Sequence, residues 1–221
     1  MIVDLNLKGK NVLVAGGGSE ASRKVEALLS QDCGVIVVTE APDPQILSRA
    51  EEGKITLIKT RLCNGAFVRE HENLILVMAV TDDQALNKAI VEVARSCGLF
   101  AYAADDPDNS DFAHPAVINL FDCIQVAVST GGKSPLMAKN LRERAEQVFR
   151  DIIKKEDILQ IRLQDKMRRA AKKKLSESVK RKQFLDHIFR DETIRKLLSE
   201  DQYPEAENAA LKILEEFSKN F

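Results

Sequence analysis

The sequence predicts an α/β protein on a parallel sheet, followed by a region that is helical almost throughout. Three observations carry this. Short apolar runs alternate with amphipathic stretches over roughly the first hundred residues, the pattern of repeated βα units. The first of those runs ends in three consecutive glycines, Gly16-Gly17-Gly18. From Ser134 onward, apolar residues recur at mixed three- and four-residue spacings.

Asn11–Ala15 (NVLVA) is a continuous apolar run, expected of a central strand covered on both faces. Ser22–Ser30 then places Val25, Leu28 and Leu29 on one helical face. Val35–Thr39 and Ile55–Ile58 read as the second and third strands, and Leu74–Val80, the most apolar run here, as the fourth. Asp82–Cys97 carries Leu86, Ile90, Val91 and Val93 in helical register, with Asp82 as the expected N-cap. Phe100–Ala104 closes the series. His114–Ser129 holds two β-rich runs around Phe121-Asp122 and predicts a hairpin. A helix over Leu136–Ile153, a charged run over Gln164–Lys182 and a last helix near Glu205–Phe217, introduced by Pro204, complete the chain. These readings divide it into residues 1–113, 114–150 and 151–221.

Composition narrows the function classes. Residues 1–132 carry 11 Lys and Arg against 18 Asp and Glu, a net of −7, whereas residues 133–221 carry 22 against 16, a net of +6. A basic second part suits a polyanionic ligand or an acidic partner. The charged run KMRRAAKKKLSESVKRK lacks interleaved aromatics and a broad apolar face, so it predicts a solvated helix face and no nucleic-acid partner. No apolar stretch approaches the ~18 residues of a membrane span, and the start lacks a secretory pattern. A cytoplasmic protein without a membrane partner is expected. Cys33, Cys63, Cys97 and Cys123 form no C-x-x-C pair and have no histidine at ligand spacing, so reduced thiols and no metal site are predicted.

Gly16-Gly17-Gly18-Ser19-Glu20-Ala21 fits G-x-G-x-x-A between a strand and a helix. This is the fingerprint of a Rossmann-type dinucleotide site. Gly16 permits the tight turn, Gly18 lets the backbone approach a pyrophosphate, and Ala21 allows helix and sheet to pack closely. The amides and positive dipole end of the helix hold the phosphates. Glu40 ends the second strand about twenty residues on, where a carboxylate accepts from both ribose hydroxyls and repels a 2′-phosphate. NAD, rather than NADP, is the expected cofactor.

Four ordered pieces extend the match: VLVAGGGSEASRKVEALL (12–29), AVTDDQALN (79–87), AADDPDNSDFAHPAVI (103–118) and VAVSTGGKSPLMAKNLRERAE (126–146). Over residues 1–150 the chain resembles the precorrin-2 dehydrogenase/sirohydrochlorin ferrochelatase family, including the N-terminal module of siroheme synthases. The resemblance implies cofactor contacts at the glycine turn, Ser19-Glu20, Glu40-Ala41 and Thr81. It implies a catalytic aspartate at Asp105, with Asp106 one residue away. It places Ser129 where some members are phosphorylated, and implies a homodimer formed through the hairpin and the helix after it. Glu20 and His114 depart from the small or apolar residues common at those positions. Beyond residue 150 only the helical character matches.

The implied reaction is NAD-dependent dehydrogenation of precorrin-2 to sirohydrochlorin. Such a tetrapyrrole carries eight carboxylates, so cations are needed. Ser129 at the end of the hairpin, and Lys133, Ser134, Lys139, Arg142 and Arg144 after it, are candidate substrate contacts, Arg142 by bidentate pairing. His114 is either a second proton carrier in substrate contact or an ordinary loop histidine. Three activities stay open at this level: the dehydrogenase with or without metal insertion, a non-catalytic NAD-binding regulatory module, and a chelatase without dehydrogenase activity.

Overall fold

The computed structural model describes residues 2–219. The chain divides into two compact units, the first ending at His114 and the second opening at Pro115.

The first unit is a five-stranded sheet of order β3-β2-β1-β4-β5, every neighbouring pair parallel. Its strands are β1 Asn11–Ala15, β2 Gly34–Thr39, β3 Thr56–Lys59, β4 Leu74–Ala79 and β5 Phe100–Ala103. Alternate side chains of β1 serve opposite faces. Val12 and Val14 pack with Val25 and Leu28 of α1 (Ser19–Leu29) and Ile46 of α2 (Pro44–Glu51). Leu13 and Ala15 pack with Ile90, Val91 and Ala94 of α3 (Gln84–Ser96) and Val68 of a short 3-10 turn. Burial on both faces explains why β1 and β4 read as unbroken apolar runs.

The expected strands stand within a residue or two of their predicted ends. α1 begins at Ser19, three residues before the predicted start, because Gly18 sets the helix entry while the apolar stripe becomes visible only at Val25. The cap of α3 is Asp83, not Asp82: its carboxylate accepts from the Leu86 N–H at 3.0 Å. α2 was not anticipated, although its signal is present. Asp43 accepts from the Gln45 N–H at 2.7 Å, and Pro44 occupies the first helical position.

The second unit opens with the hairpin β6 Ala116–Leu120 and β7 Ile124–Val128. Phe121 and Asp122 both take positive φ, 54° and 57°, and Cys123 N–H donates to Leu120 O. This mirror-image turn matches the twist of the strands. Helices α4 Pro135–Ile152, α5 Lys155–Lys174, α6 Ser178–Arg190, α7 Glu192–Ser199 and α8 Tyr203–Lys219 follow. The charged run is not one element: it ends α5 and begins α6, with buried Leu175 between them. Leu159, Leu163, Met167 and Ala171, each four residues apart, turn a narrow apolar stripe of α5 toward Phe184, Ile188, Ala210 and Leu214. Among the described residues, no helix is long and apolar enough to cross a membrane.

Candidate dinucleotide and carboxylate site

The strand order reverses between β1 and β4, so the crevice beyond their C-terminal ends is the natural ligand position of this fold. The glycine turn sits there. Gly16 has φ +134°, and a Cβ on it would lie 2.5 Å from Val80 O. A Cβ on Gly17 would lie 2.4 Å from both Ala41 O and Thr39 Oγ1. Gly18 differs, because nothing stands within 4 Å of where its Cβ would be. It also gives α1 no side-chain cap, which leaves the first amides of the helix for an anion or water. Gly16 and Gly17 are thus required by the protein's own packing, whereas Gly18 borders open space.

Around this turn, Glu40 and Ala41 are exposed just past the end of β2. Gly17 O accepts from the Asp43 N–H at 2.8 Å, tying the turn to the cap of α2. Ser19 is exposed. Glu20, in the first turn of α1, accepts from Arg23 at 2.8 Å and lies 3.4 Å from the Lys24 ammonium. Burial raises its carboxyl pKa, but Arg23 and Lys24 together outweigh that and hold it below the ordinary value.

Lys24 is an arrangement that sequence reading missed. It is only 4% exposed, with its Nζ 4.4 Å from the Tyr102 ring centre. Burial pushes its ammonium pKa down, and Glu20 opposes this. Tyr102 and Phe112 also hold the His114 ring, at 4.9 and 5.4 Å between centres. His114 as a residue keeps more than a third of its surface open, yet its ring is enclosed edge-on. Burial, with repulsion from Lys24, lowers its pKa to about 4. The imidazole is therefore neutral near pH 7.

Asp105 follows β5 and lies across from the start of α3. Asn87, 1% exposed, donates from Nδ2 to Asp105 Oδ1 at 2.9 Å. The same amide donates to Thr81 O at 3.0 Å, and its Oδ1 accepts from the Thr81 N–H at 3.1 Å and from Thr81 Oγ1 at 2.7 Å. Thr81 and Asp105, separated by 24 positions, thus meet through a residue not anticipated as part of the site. Asp106 is differently occupied: its two oxygens take the backbone and side-chain N–H groups of Asn109, at 3.1 and 2.7 Å. Those bonds lower the Asp106 pKa. Asp105 and Asn87 line a cavity of about 300 Å³ with Gln84, Lys88, Asp106 and Asn109.

The remaining candidates belong to the second unit. Ser129 is exposed, and its Oγ accepts from the Gly131 N–H at 3.2 Å. Ser134 caps α4 by accepting from the Met137 N–H, and its own backbone is held twice by Thr130 Oγ1. Lys133 projects from the turn between them and is exposed. Arg142 is already engaged, with Glu146 and Glu143 both at 3.1 Å. Any carboxylate it binds must compete with those two. Lys139 and Arg144 are exposed on the same helix. Among the described residues, no group of three or more His, Cys, Asp and Glu side chains could hold a metal ion.

A parallel sheet with a glycine turn at its strand-order reversal and an open helix N-terminus defines a dinucleotide-binding α/β domain. Residues 3–116 match the family described as putative NAD(P)-binding, and residues 124–147 match the central segment of sirohaem biosynthesis proteins. The chain belongs to this putative NAD(P)-binding family. The siroheme synthase of Neisseria meningitidis serogroup C (strain 053442) is 34% identical over 212 residues, 96% of this chain and 42% of that protein. The siroheme synthase of Methylococcus capsulatus is 37% identical over 142 residues, 64% of this chain and 29% of that protein. The chain spans about two fifths of the length of the first of these relatives. A solved structure named SirC, precorrin-2 dehydrogenase, has the same fold, with a TM-score of 0.67 at 22% identity over 96% of this chain and 99% of that one.

Proposed function

We propose that this chain oxidises precorrin-2 to sirohydrochlorin with NAD as the hydride acceptor. The carrying observation is the Asp105 carboxylate. It lines a cavity at the C-terminal edge of the sheet that also bears the glycine turn, and Asn87 ties it to the end of β4. When bound, the dinucleotide supplies the hydride acceptor. The residues around it fit: the open approach at Gly18 and the uncapped start of α1 suit a pyrophosphate, and Glu40 suits an unsubstituted ribose 2′-hydroxyl.

With the dinucleotide bound, oxidation of the tetrapyrrole would also release one proton, which needs a base. Asp105 is assigned as that base. Asp106 is not, because both its oxygens are committed to Asn109, whereas Asp105 has Asn87 on one oxygen alone. Lys88 in the same cavity, and Lys133, Ser134 and Arg142 in the second unit, suit substrate carboxylates. Ser129, next to them in the chain, is assigned with this group. His114, held neutral in its aromatic enclosure, is assigned a packing role here.

The working form is assigned as a homodimer located in the cytoplasm. Support for the dimer comes from α4, where Met137, Leu141, Val148 and Ile152 are 47%, 38%, 54% and 63% exposed at helical spacing. An apolar stripe of that kind favours a protein partner. Leu141→Glu with Val148→Glu converts the dimer to a monomer in light scattering, and a dimer unaffected by the pair rejects this face.

The test of the activity is anaerobic. Purified chain with precorrin-2 and NAD yields NADH and sirohydrochlorin, NADP is used more than tenfold less well, and Asp105→Asn loses turnover while keeping NAD affinity. No NADH formation with both reactants present rejects the dehydrogenase. A parallel arm measures metal insertion into sirohydrochlorin with and without NAD, which separates a chelatase from an oxidising enzyme.

A further inference from the structure

We infer that Asn87 is a positioning residue for the Asp105 carboxylate: its saturated amide fixes Asp105 to the end of β4 and so sets the carboxylate's place in the cavity. The inference rests on the assignment of Asp105 as the reacting base.

A side-chain amide has two N–H donors and an oxygen with two acceptor sites. Asn87 uses all of them. Three of its four bonds go to Thr81, through N–H, O and Oγ1, and the fourth goes to Asp105. The three Thr81 bonds define which end is oxygen and which nitrogen, because a flipped amide would face N–H with N–H and carbonyl with carbonyl. The donor presented to Asp105 therefore has a fixed position. Asp105 lies beyond the end of β5 on an exposed turn, and this bond is what ties its side chain to the buried structure. The geometry also explains the identity of the residue. Aspartate at position 87 would keep both acceptor bonds from Thr81 but would set a carboxylate against Thr81 O and against Asp105. Leucine, with the same branching and number of side-chain heavy atoms, would leave the Thr81 N–H and O groups unpaired.

A misplacement of about 1 Å in a reacting group can cost on the order of a hundredfold in rate. Asn87→Asp is thus expected to lower kcat about 10- to 100-fold, with KM for the tetrapyrrole and Kd for NAD changed less than about threefold. Asn87→Ser, which keeps one donor in a smaller side chain, is expected to fall between this variant and the wild type. The reciprocal double variant Asn87→Asp/Asp105→Asn exchanges donor and acceptor. It regains the part of the lost thermal midpoint that came from facing Asp105, but not the part from Thr81 O, and stays as inactive as Asp105→Asn. Wild-type kcat in folded Asn87→Asp or Asn87→Ser overturns the inference. So does a loss of NAD affinity as large as the loss of kcat, or failure of both single variants and the double variant to fold, since the residue would then serve only the architecture. Wild-type kcat in Asp105→Asn instead rejects the assignment of the base, a separate outcome.

Discussion

The chain has two glycine turns that lead into helices, and they are built for different reasons. At Gly16-Gly17-Gly18 the first two glycines are dictated by backbone crowding: a methyl group on either would meet a carbonyl oxygen at 2.5 Å or less. At Gly131-Gly132, before α4, nothing stands within 4 Å of either Cβ position, and glycine is favoured only because φ is +61° and +78°. The first turn is clamped by β2, β4 and the α2 cap. The second is held by local bonds among Ser129, Thr130, Lys133 and Ser134. Sequence presents both as glycine clusters. Only packing separates a turn with no room from one with an unusual dihedral angle.

Substitutions in the two turns test that difference. The largest effect is expected at the first: Gly17→Ala or Gly16→Ala costs about 3 kcal/mol, the top of the usual overpacking range, and abolishes NAD binding in calorimetry. At Gly16 the backbone conformation adds to the clash. An alanine tolerated at Gly17 with full NAD affinity would break the contrast. Gly18→Ala is expected to leave the thermal midpoint unchanged while weakening NAD about tenfold or more, because the added methyl meets only the ligand's approach. Equal effects on stability and affinity would show that Gly18 belongs with its neighbours. At the second turn, Gly131→Ala or Gly132→Ala costs about 1 kcal/mol in denaturant unfolding, the penalty of a left-handed conformation alone. Asparagine, which tolerates that region, recovers part of it.

An effect absent near neutral pH and confined to acid concerns His114. Its pKa is about 4 in the folded chain against an ordinary value near 6.5, so the unfolded chain binds the proton more readily. Stability is then fully present above about pH 6.5 and declines as pH falls toward 4. His114→Gln is expected to flatten the thermal midpoint over that window. An unchanged slope would remove His114 from the acid response.

The fold was largely legible because the parallel sheet is buried on both faces, which writes its strands as apolar runs, and because the glycine turn carries its own geometry. The α1 start and the α3 cap slipped because the polar residues at helix ends carry no periodicity. Asp82 and Asp83 are both good caps, and only the Leu86 bond chooses between them. The geometry of the candidate site was legible where a residue type has few alternative uses, as with the glycines, and less so where it has many. Asp105, Asp106 and Asp111 share one loop. Asp106 holds Asn109, while Asp111 pairs with Arg95 and takes the Ala101 N–H. Nothing in their spacing distinguishes these duties. Asn87 and Lys24 lie on helix faces that sequence alone marks as polar; Asn87 bonds to Thr81, six residues before it, and Lys24 lies against Tyr102, a distant position that folding brings alongside.

The bond from Asp43 N–H to Gly17 O couples two loops at the sheet edge. It ties the glycine turn to the loop after β2 that carries Glu40, the two elements proposed to hold the pyrophosphate and the ribose. A change of preference between the two nicotinamide dinucleotides cannot be engineered by exchanging that loop freely. Any graft must return an amide hydrogen to the same spot, and a proline placed there would slacken the phosphate grip along with the ribose selectivity.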